Sequence, residues 1–96
     1  MSYIKHYLQE LLDNEEVQSP QELATALHLP IVKVEKYLSG KKKPNQQLGY
    51  NILREMDASE HEIDQYVDEE FGELNPALLK VITQKLHIEY IKTKSQ

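Results

Sequence analysis

The stretch from Ser19 to Pro44 places helix-start and helix-stop signals so close together that only short helices fit between them. Ser19, Pro20 and Glu22 form a capping box with proline at the first helical position: Ser19 accepts from the Glu22 amide and Glu22 reaches back. Pro30 ends this helix and opens the next, and Gly40, which tolerates positive φ, closes the second one. The sequence therefore predicts two short helices, at about residues 19–28 and 30–39, joined by a tight turn.

The rest of the chain also has helical patterning, because apolar residues recur at helical spacing and no segment alternates as a strand would. Ser2 is the expected cap of the first helix, and Asn45 or a neighbour starts the fourth. A second capping box at Ser59–Glu62 opens a fifth helix, which ends near Gly72, and Asn75–Pro76 starts a sixth. We expect an all-α fold: a bundle of five or six helices that contains a helix-turn-helix, with an additional carboxy-terminal helical arm.

Length and composition favour one small intracellular domain. The 96 residues are 40% hydrophobic and 28% charged, and they include no cysteine, so disulfides and thiolate chemistry are excluded. No apolar run approaches the length of a membrane span or the core of a signal peptide. We therefore expect a cytoplasmic protein that does not enter membranes.

The net charge of −5 is spread unevenly. Residues 1–56 carry seven basic and seven acidic side chains, so residues 57–96 hold the whole excess of acid. Residues 29–44 carry five lysines against one acid, Glu35. Because salt screens charges that lie more than roughly 8 Å apart, a local basic face can attract phosphates despite the acidic remainder.

The pattern Glu22-Leu23-Ala24, Leu27, Leu29, Val34 and Ser39-Gly40-Lys41-Lys42-Lys43-Pro44 resembles the lambda-repressor-like (Xre-type) helix-turn-helix family in order and spacing. The resemblance covers residues 3–56 loosely and 19–44 well. It implies a bundle of four or five helices, a third helix that reads the DNA major groove, and binding to operators as a dimer.

The chain departs from this pattern at three places. Pro20 stands where the family often has a phosphate-binding glutamine, and Gln21 follows it. His28 stands at the start of the turn, where the family often has glycine. The exposed start of the third helix carries Ile31 and Val32, which cannot donate hydrogen bonds to bases but can contact thymine methyl groups or a protein.

The candidate DNA-binding residues follow from these positions. Lys41, Lys42 and Lys43 are expected to bind phosphates, or else to form a solvated loop. Lys33 is the best candidate for a base or phosphate contact and Lys36 for a backbone contact, whereas Glu35 is interpreted as a surface residue. Gln21 and Asn45 lie at helix starts, where phosphates bind, although Asn45 fits equally well as a plain helix cap. The complete set is Gln21, Ile31, Val32, Lys33, Lys36, Lys41, Lys42, Lys43 and Asn45.

We expect neither an enzyme nor a cofactor or metal site. His6, His28, His61 and His87 have no companion at ligand spacing, and no catalytic set or glycine-rich phosphate loop is present. Residues 57–73 hold eight acids and no lysine or arginine, which is typical of a solvated helix face.

The sixth helix carries more apolar residues than one stripe needs. Leu79, Ile82 and Leu86 suffice to pack on a bundle, while Val81, Ile88 and Ile91 lie partly elsewhere, where either the bundle or a second chain would bury them. We therefore divide the chain into a helix-turn-helix DNA-binding domain, residues 1–58, and a helical extension, residues 59–96, for dimerisation or partner binding.

Two functions fit these features. The first is sequence-specific binding of double-stranded DNA by a homodimeric transcriptional regulator, such as a repressor, with its recognition helix at about residues 30–39. The alternative is a protein-interaction module, an anti-repressor or adaptor, which presents the Ile31–Val32 surface and the acidic helix to a protein partner. The basic loop favours DNA, whereas the net charge and the apolar start of the third helix favour protein.

Overall fold

A computed structural model describes residues 3–72 and 74–94. Within these ranges the chain forms six helices and no strand, so the predicted all-α class is confirmed. The helices are α1 (Tyr3–Asp13), α2 (Pro20–Leu27), α3 (Ile31–Ser39), α4 (Gln46–Glu55), α5 (Glu60–Phe71) and α6 (Pro76–Lys94). Ser2, the predicted cap of α1, lies outside the described residues.

The helices begin where the capping residues predict. Ser19 Oγ accepts from the Glu22 amide at 3.2 Å, but the Glu22 carboxylate accepts from the amide of Gln18 at 3.1 Å. The box before α5 is complete, because Ser59 and Glu62 each accept from the other's backbone amide at 3.1 Å. Asn75 caps α6 through a 2.9 Å bond from the amide of Leu78.

The turn between α2 and α3 is short because His28 ends α2 in a left-handed backbone conformation. His28 takes left-handed backbone angles, φ 56° and ψ 40°, and the next amide, of Leu29, donates to Ala24 O at 3.0 Å. His28 therefore has the positive φ that glycine adopts more easily, and the backbone strain expected for a histidine at this position is present. Pro30 is the residue before α3 rather than its first turn, and its carbonyl accepts from Lys33 and Val34.

The chain divides into two compact units, Met1–Pro44 and Asn45–Gln96. In the first unit, α3 packs against both α1 and α2. Most of the apolar residues expected to face inward are buried in this unit. The largest fully buried side chains are Ile4, Leu8, Leu23 and Val34. Leu12 and Leu38, also expected to face inward, are half-buried.

In the second unit, α4, α5 and α6 pack against one another. Ile52, Leu53 and Ile63 are fully buried there, as is Tyr66. Packing thus divides the chain after Pro44, so that α4 groups with the later helices, because its apolar side chains contact α5 and α6. The division after residue 58 stays a prediction about which segments perform which function.

α6 buries little of its surface. Leu86 is buried, and Leu79 and Ile82 are half-buried, as the spacing predicted. By contrast, Leu78, Val81, Ile88 and Ile91 keep between 47% and 60% of their surface exposed. Across residues 3–72 and 74–94, no helix combines the length and the apolar character needed to span a bilayer.

Candidate nucleic-acid interface

The outer face of α3 is the surface that the sequence assigned to DNA. Because Val34 and Tyr37 face the core, the opposite face of α3 points outward, and its residues Val32, Glu35, Lys36 and Ser39 are exposed. Val32 is 57% exposed. A shallow groove of about 280 Å³ runs along this face. It is lined by Val32, Glu35, Lys36, Ser39 and Lys41.

The basic loop after α3 has a fixed start. Gly40 turns the chain with φ 79°, a left-handed conformation that favours glycine. The amide of Lys42 then donates to the Lys36 carbonyl at 3.3 Å, and the amide of Lys41 to Ser39 Oγ at 3.4 Å. The side chains of Lys41, Lys42 and Lys43 are all exposed. Two of the three therefore extend from backbone that is held against the end of α3.

A sixth lysine belongs to the same neighbourhood. A Cβ built on Gly40 would lie 3.3 Å from both Cδ and Nζ of Lys5, so the end of the Lys5 side chain lies beside the start of the basic loop. The sequence reasoning missed this residue because Lys5 is on α1, and only the packing of α1 against α3 brings it there.

The other predicted contact residues have different environments. Gln21 is exposed in the first turn of α2, and Lys33 is exposed in the first turn of α3. Ile31 is half-buried, so only Val32 of the predicted apolar pair is fully available to a ligand. Asn45 belongs to the second unit, where its side chain accepts from the Leu48 amide at 2.8 Å. Its alternative role as a helix cap is confirmed, and a phosphate contact stays a prediction.

In the first unit most acidic side chains precede α3, and most lysines lie on α3 and the loop after it. Residues 1–44 carry six lysines and six acids, and residues 45–96 carry the whole −5. Five of the six acids of the first unit lie on α1, on α2 or in the connection between them. Glu35 is the exception, since it lines the groove on α3 beside Lys36. The exposed face of α3 and its loop are therefore basic although the unit as a whole is neutral.

The second unit contains a polar cluster around the hydroxyl of Tyr50. The hydroxyl of Tyr50, a fully buried residue, accepts from Arg54 Nη2 at 2.8 Å and from Arg54 Nε at 3.0 Å. The same hydroxyl lies 3.1 Å from Nδ1 of His87. Desolvation lowers the pKa of Arg54, but its bonds to Tyr50 and Glu60 outweigh that effect and raise the pKa. Arg54 and His87 are far apart in sequence, so helical periodicity alone does not reveal the cluster.

Nowhere among residues 3–72 and 74–94 do three histidine or acidic side chains come together as metal ligands. Comparison of the chain with protein families, with curated proteins and with solved structures finds no match.

Proposed function

We propose that this chain binds double-stranded DNA and acts as a small transcriptional regulator, with the exposed face of α3 in the major groove. The observation that carries the proposal is the cluster of exposed lysines on α3 and its loop, where Glu35 is the one acid. Lys33, Lys36 and Lys41–Lys43 are all exposed, and the loop backbone is anchored on α3. A single helix fits the major groove, and lysines at its edge reach the phosphates on either side.

The side chains divide into two roles under this proposal. The loop lysines bind phosphates and position the protein, and Lys5 adds charge at the same place. Val32 and Lys33 lie in the first turn of α3, where recognition helices contact bases. Val32 would contact a thymine methyl group, because its side chain has no donor or acceptor. The resemblance to the Xre-type family supports the same placement of the third helix.

We further propose that the active form is a homodimer that associates through α6. Burying a half-exposed aliphatic side chain completely contributes about 1 kcal/mol. A twofold interface would bury both copies of Leu78, Val81, Ile88 and Ile91. That gain of about 8 kcal/mol is partly offset by the cost of association, at least about 4 kcal/mol, so a weak dimer is expected. A dimer also supplies two reading helices, which one small module needs for useful affinity.

A salt titration tests the DNA proposal. Binding of the full chain to a random-sequence duplex is measured between 50 and 200 mM salt, for example by fluorescence anisotropy. Release of counterions from contacted phosphates predicts a linear fall of log affinity with log salt, with a slope of about −0.9 per contact. Affinity that does not depend on salt would overturn the proposal.

The exposure of Val32 supports a second candidate. An aliphatic side chain that is 57% exposed on an otherwise charged helix also suits a protein surface, as in an adaptor or anti-repressor. The two functions differ in a measurable way: Val32→Ser would leave the salt slope on random DNA unchanged under the DNA proposal. Under the protein proposal the wild-type chain shows no salt-dependent DNA binding at all.

A further inference from the structure

The exposed side of α6 follows a seven-residue repeat. Ala77, Val81, Gln84, Ile88 and Ile91 are spaced alternately by four and three residues, and all five are exposed. We call this row the α6 seam. Such spacing is that of the contact line between two helices in a coiled coil. The inward residues of α6, Leu79, Ile82 and Leu86, lie on the opposite side and pack within the second unit.

From this seam we infer that α6 pairs with α6 of a second copy in the antiparallel direction, with Ala77 opposite Ile88 and Val81 opposite Gln84. The inference rests on the proposed homodimer and adds its orientation and register. The two directions differ in which charged side chains they bring together, because residues that flank a seam meet across the interface and set the orientation of the pair.

The flanking residues favour the antiparallel direction. Lys80 and His87 lie on one side of the seam, and Lys85 and Lys92 lie on the other. A parallel pair brings Lys80 against Lys85 of the second copy and His87 against its Lys92, and it does so on both sides. An antiparallel pair instead brings Lys80 against His87. It also sets Lys85 along Leu78, where the aliphatic stem of the lysine packs while the ammonium stays in water.

The groove beside His87 adds an acidic neighbour. Glu60, His87 and Lys80 of the same chain line one groove, and the Glu60 side chain is 79% exposed. Lys80 of an antiparallel second copy, arriving beside His87, therefore approaches a carboxylate. The Arg54–Glu60 ion pair leaves the other oxygen of that carboxylate to accept a further bond.

Side-chain size favours the same register. In the antiparallel pair the smallest seam residue, Ala77, lies opposite the large Ile88, and Val81 lies opposite Gln84, which is of similar size, so these layers have similar total volumes. In a parallel pair Ala77 meets Ala77 and Ile88 meets Ile88, so the layers differ widely in volume and the Ala77 layer leaves a gap. Interfaces pack to the density of protein interiors, so layers of even volume are preferred.

Disulfide trapping tests the orientation without ambiguity, because the chain has no cysteine. The full-length variants Ala77→Cys and Ile88→Cys are prepared separately, then oxidised alone and as a mixture. Antiparallel pairing predicts a covalent dimer in the mixture that joins residue 77 to residue 88, with little dimer from either variant alone. A mixture of Ala26→Cys with Ile88→Cys controls for random collision, since Ala26 is exposed on α2.

The possible outcomes separate the orientation from the dimer itself. Covalent dimers from each variant alone, with none joining 77 to 88, would show parallel pairing and overturn the inference. If the unmodified chain sediments as a monomer, the homodimer is wrong as well; the DNA salt titration remains an independent measurement. The pair Leu78→Cys and Lys85→Cys repeats the test at the flanking positions, which only the antiparallel pair brings together, should either first variant fold poorly.

Discussion

At the scale of single residues, Gly49 shows how one missing atom permits the packing of the second unit. Gly49 is buried on α4, and a Cβ at this position would lie 2.9 Å from Cζ of Tyr66 and would overlap its hydroxyl oxygen. That hydroxyl donates to the Gln46 carbonyl at 3.0 Å. The ring of Tyr66, which is 1% exposed, can therefore pack against α4 only over glycine.

Gly49→Ala is expected to destabilise the protein by about 1–3 kcal/mol through this clash, although alanine is the better helix former. Urea unfolding measures the free energy. The double variant with Tyr66→Phe provides the control, because it removes the overlapping oxygen. In a double-mutant cycle the double variant should lose less unfolding free energy than the sum of the two single losses. Simple additivity would mean that the ring shifts freely and that the contact is unimportant.

Tyr66 also predicts how stability depends on pH. Burial, together with the nearby charge of Glu70, raises the pKa of Tyr66 well above its usual value. The folded state therefore keeps its proton while the unfolded state begins to ionise near pH 10, so stability is full below that pH and falls as pH rises further. Urea unfolding above pH 10 should show a loss of up to about 1.4 kcal/mol per pH unit more for the wild type than for Tyr66→Phe. Parallel curves for the two proteins would contradict this assignment.

At the scale of elements, α3 and its loop act as one unit in the proposed interface. The amides of Lys41 and Lys42 are tied to the last turn of α3, so the loop lysines keep their position relative to Val32 and Lys36. In the proposed DNA complex, base recognition depends on α3 and phosphate binding on the loop anchored to it, so a change in the loop should alter affinity without altering sequence preference.

Replacing Lys41, Lys42 and Lys43 by alanine should weaken DNA binding for every sequence and reduce the salt slope by up to about three contacts. The matched control compares Lys41→Ala with Lys42→Ala against Lys92→Ala with Lys94→Ala, which removes the same charge from exposed positions at the end of α6. Anisotropy titrations at several salt concentrations compare the two. Equal losses in both variants would mean that only net charge matters and that the loop has no special role.

At the scale of the whole molecule, the proposed homodimer depends on the exposed apolar surface of α6. Val81→Ser with Ile88→Ser removes two aliphatic side chains that are 60% and 54% exposed, without changing the net charge. Because both are already exposed, the fold should persist while the dimer dissociates, and affinity for a two-site operator should fall. Sedimentation measures the first effect. Val32→Ser, at another exposed aliphatic residue, should leave the oligomeric state unchanged.

Most of the helical architecture could be predicted from the sequence. Ser19, Ser59 and Asn75 mark helix starts through bonds from amides three residues away, and Gly40 marks an end through its own backbone angle. These signals are local, so the order of residues suffices to locate them. The inward faces of α2 and α5 followed from helical periodicity for the same reason.

Only the tertiary structure decided which distant side chains meet. Lys5 approaches Gly40, and His87 approaches Tyr50, because of the way the helices cross. Helix crossing also explains why position 49 needs glycine. Helix crossing is set by the summed packing of many side chains, and each of these contacts joins segments that no local pattern connects. The same packing groups α4 with α5 and α6 and leaves Ile31 half-buried beside an exposed Val32. The sequence thus determined where the helices lie along the chain, and packing between them determined which surfaces remain available for binding.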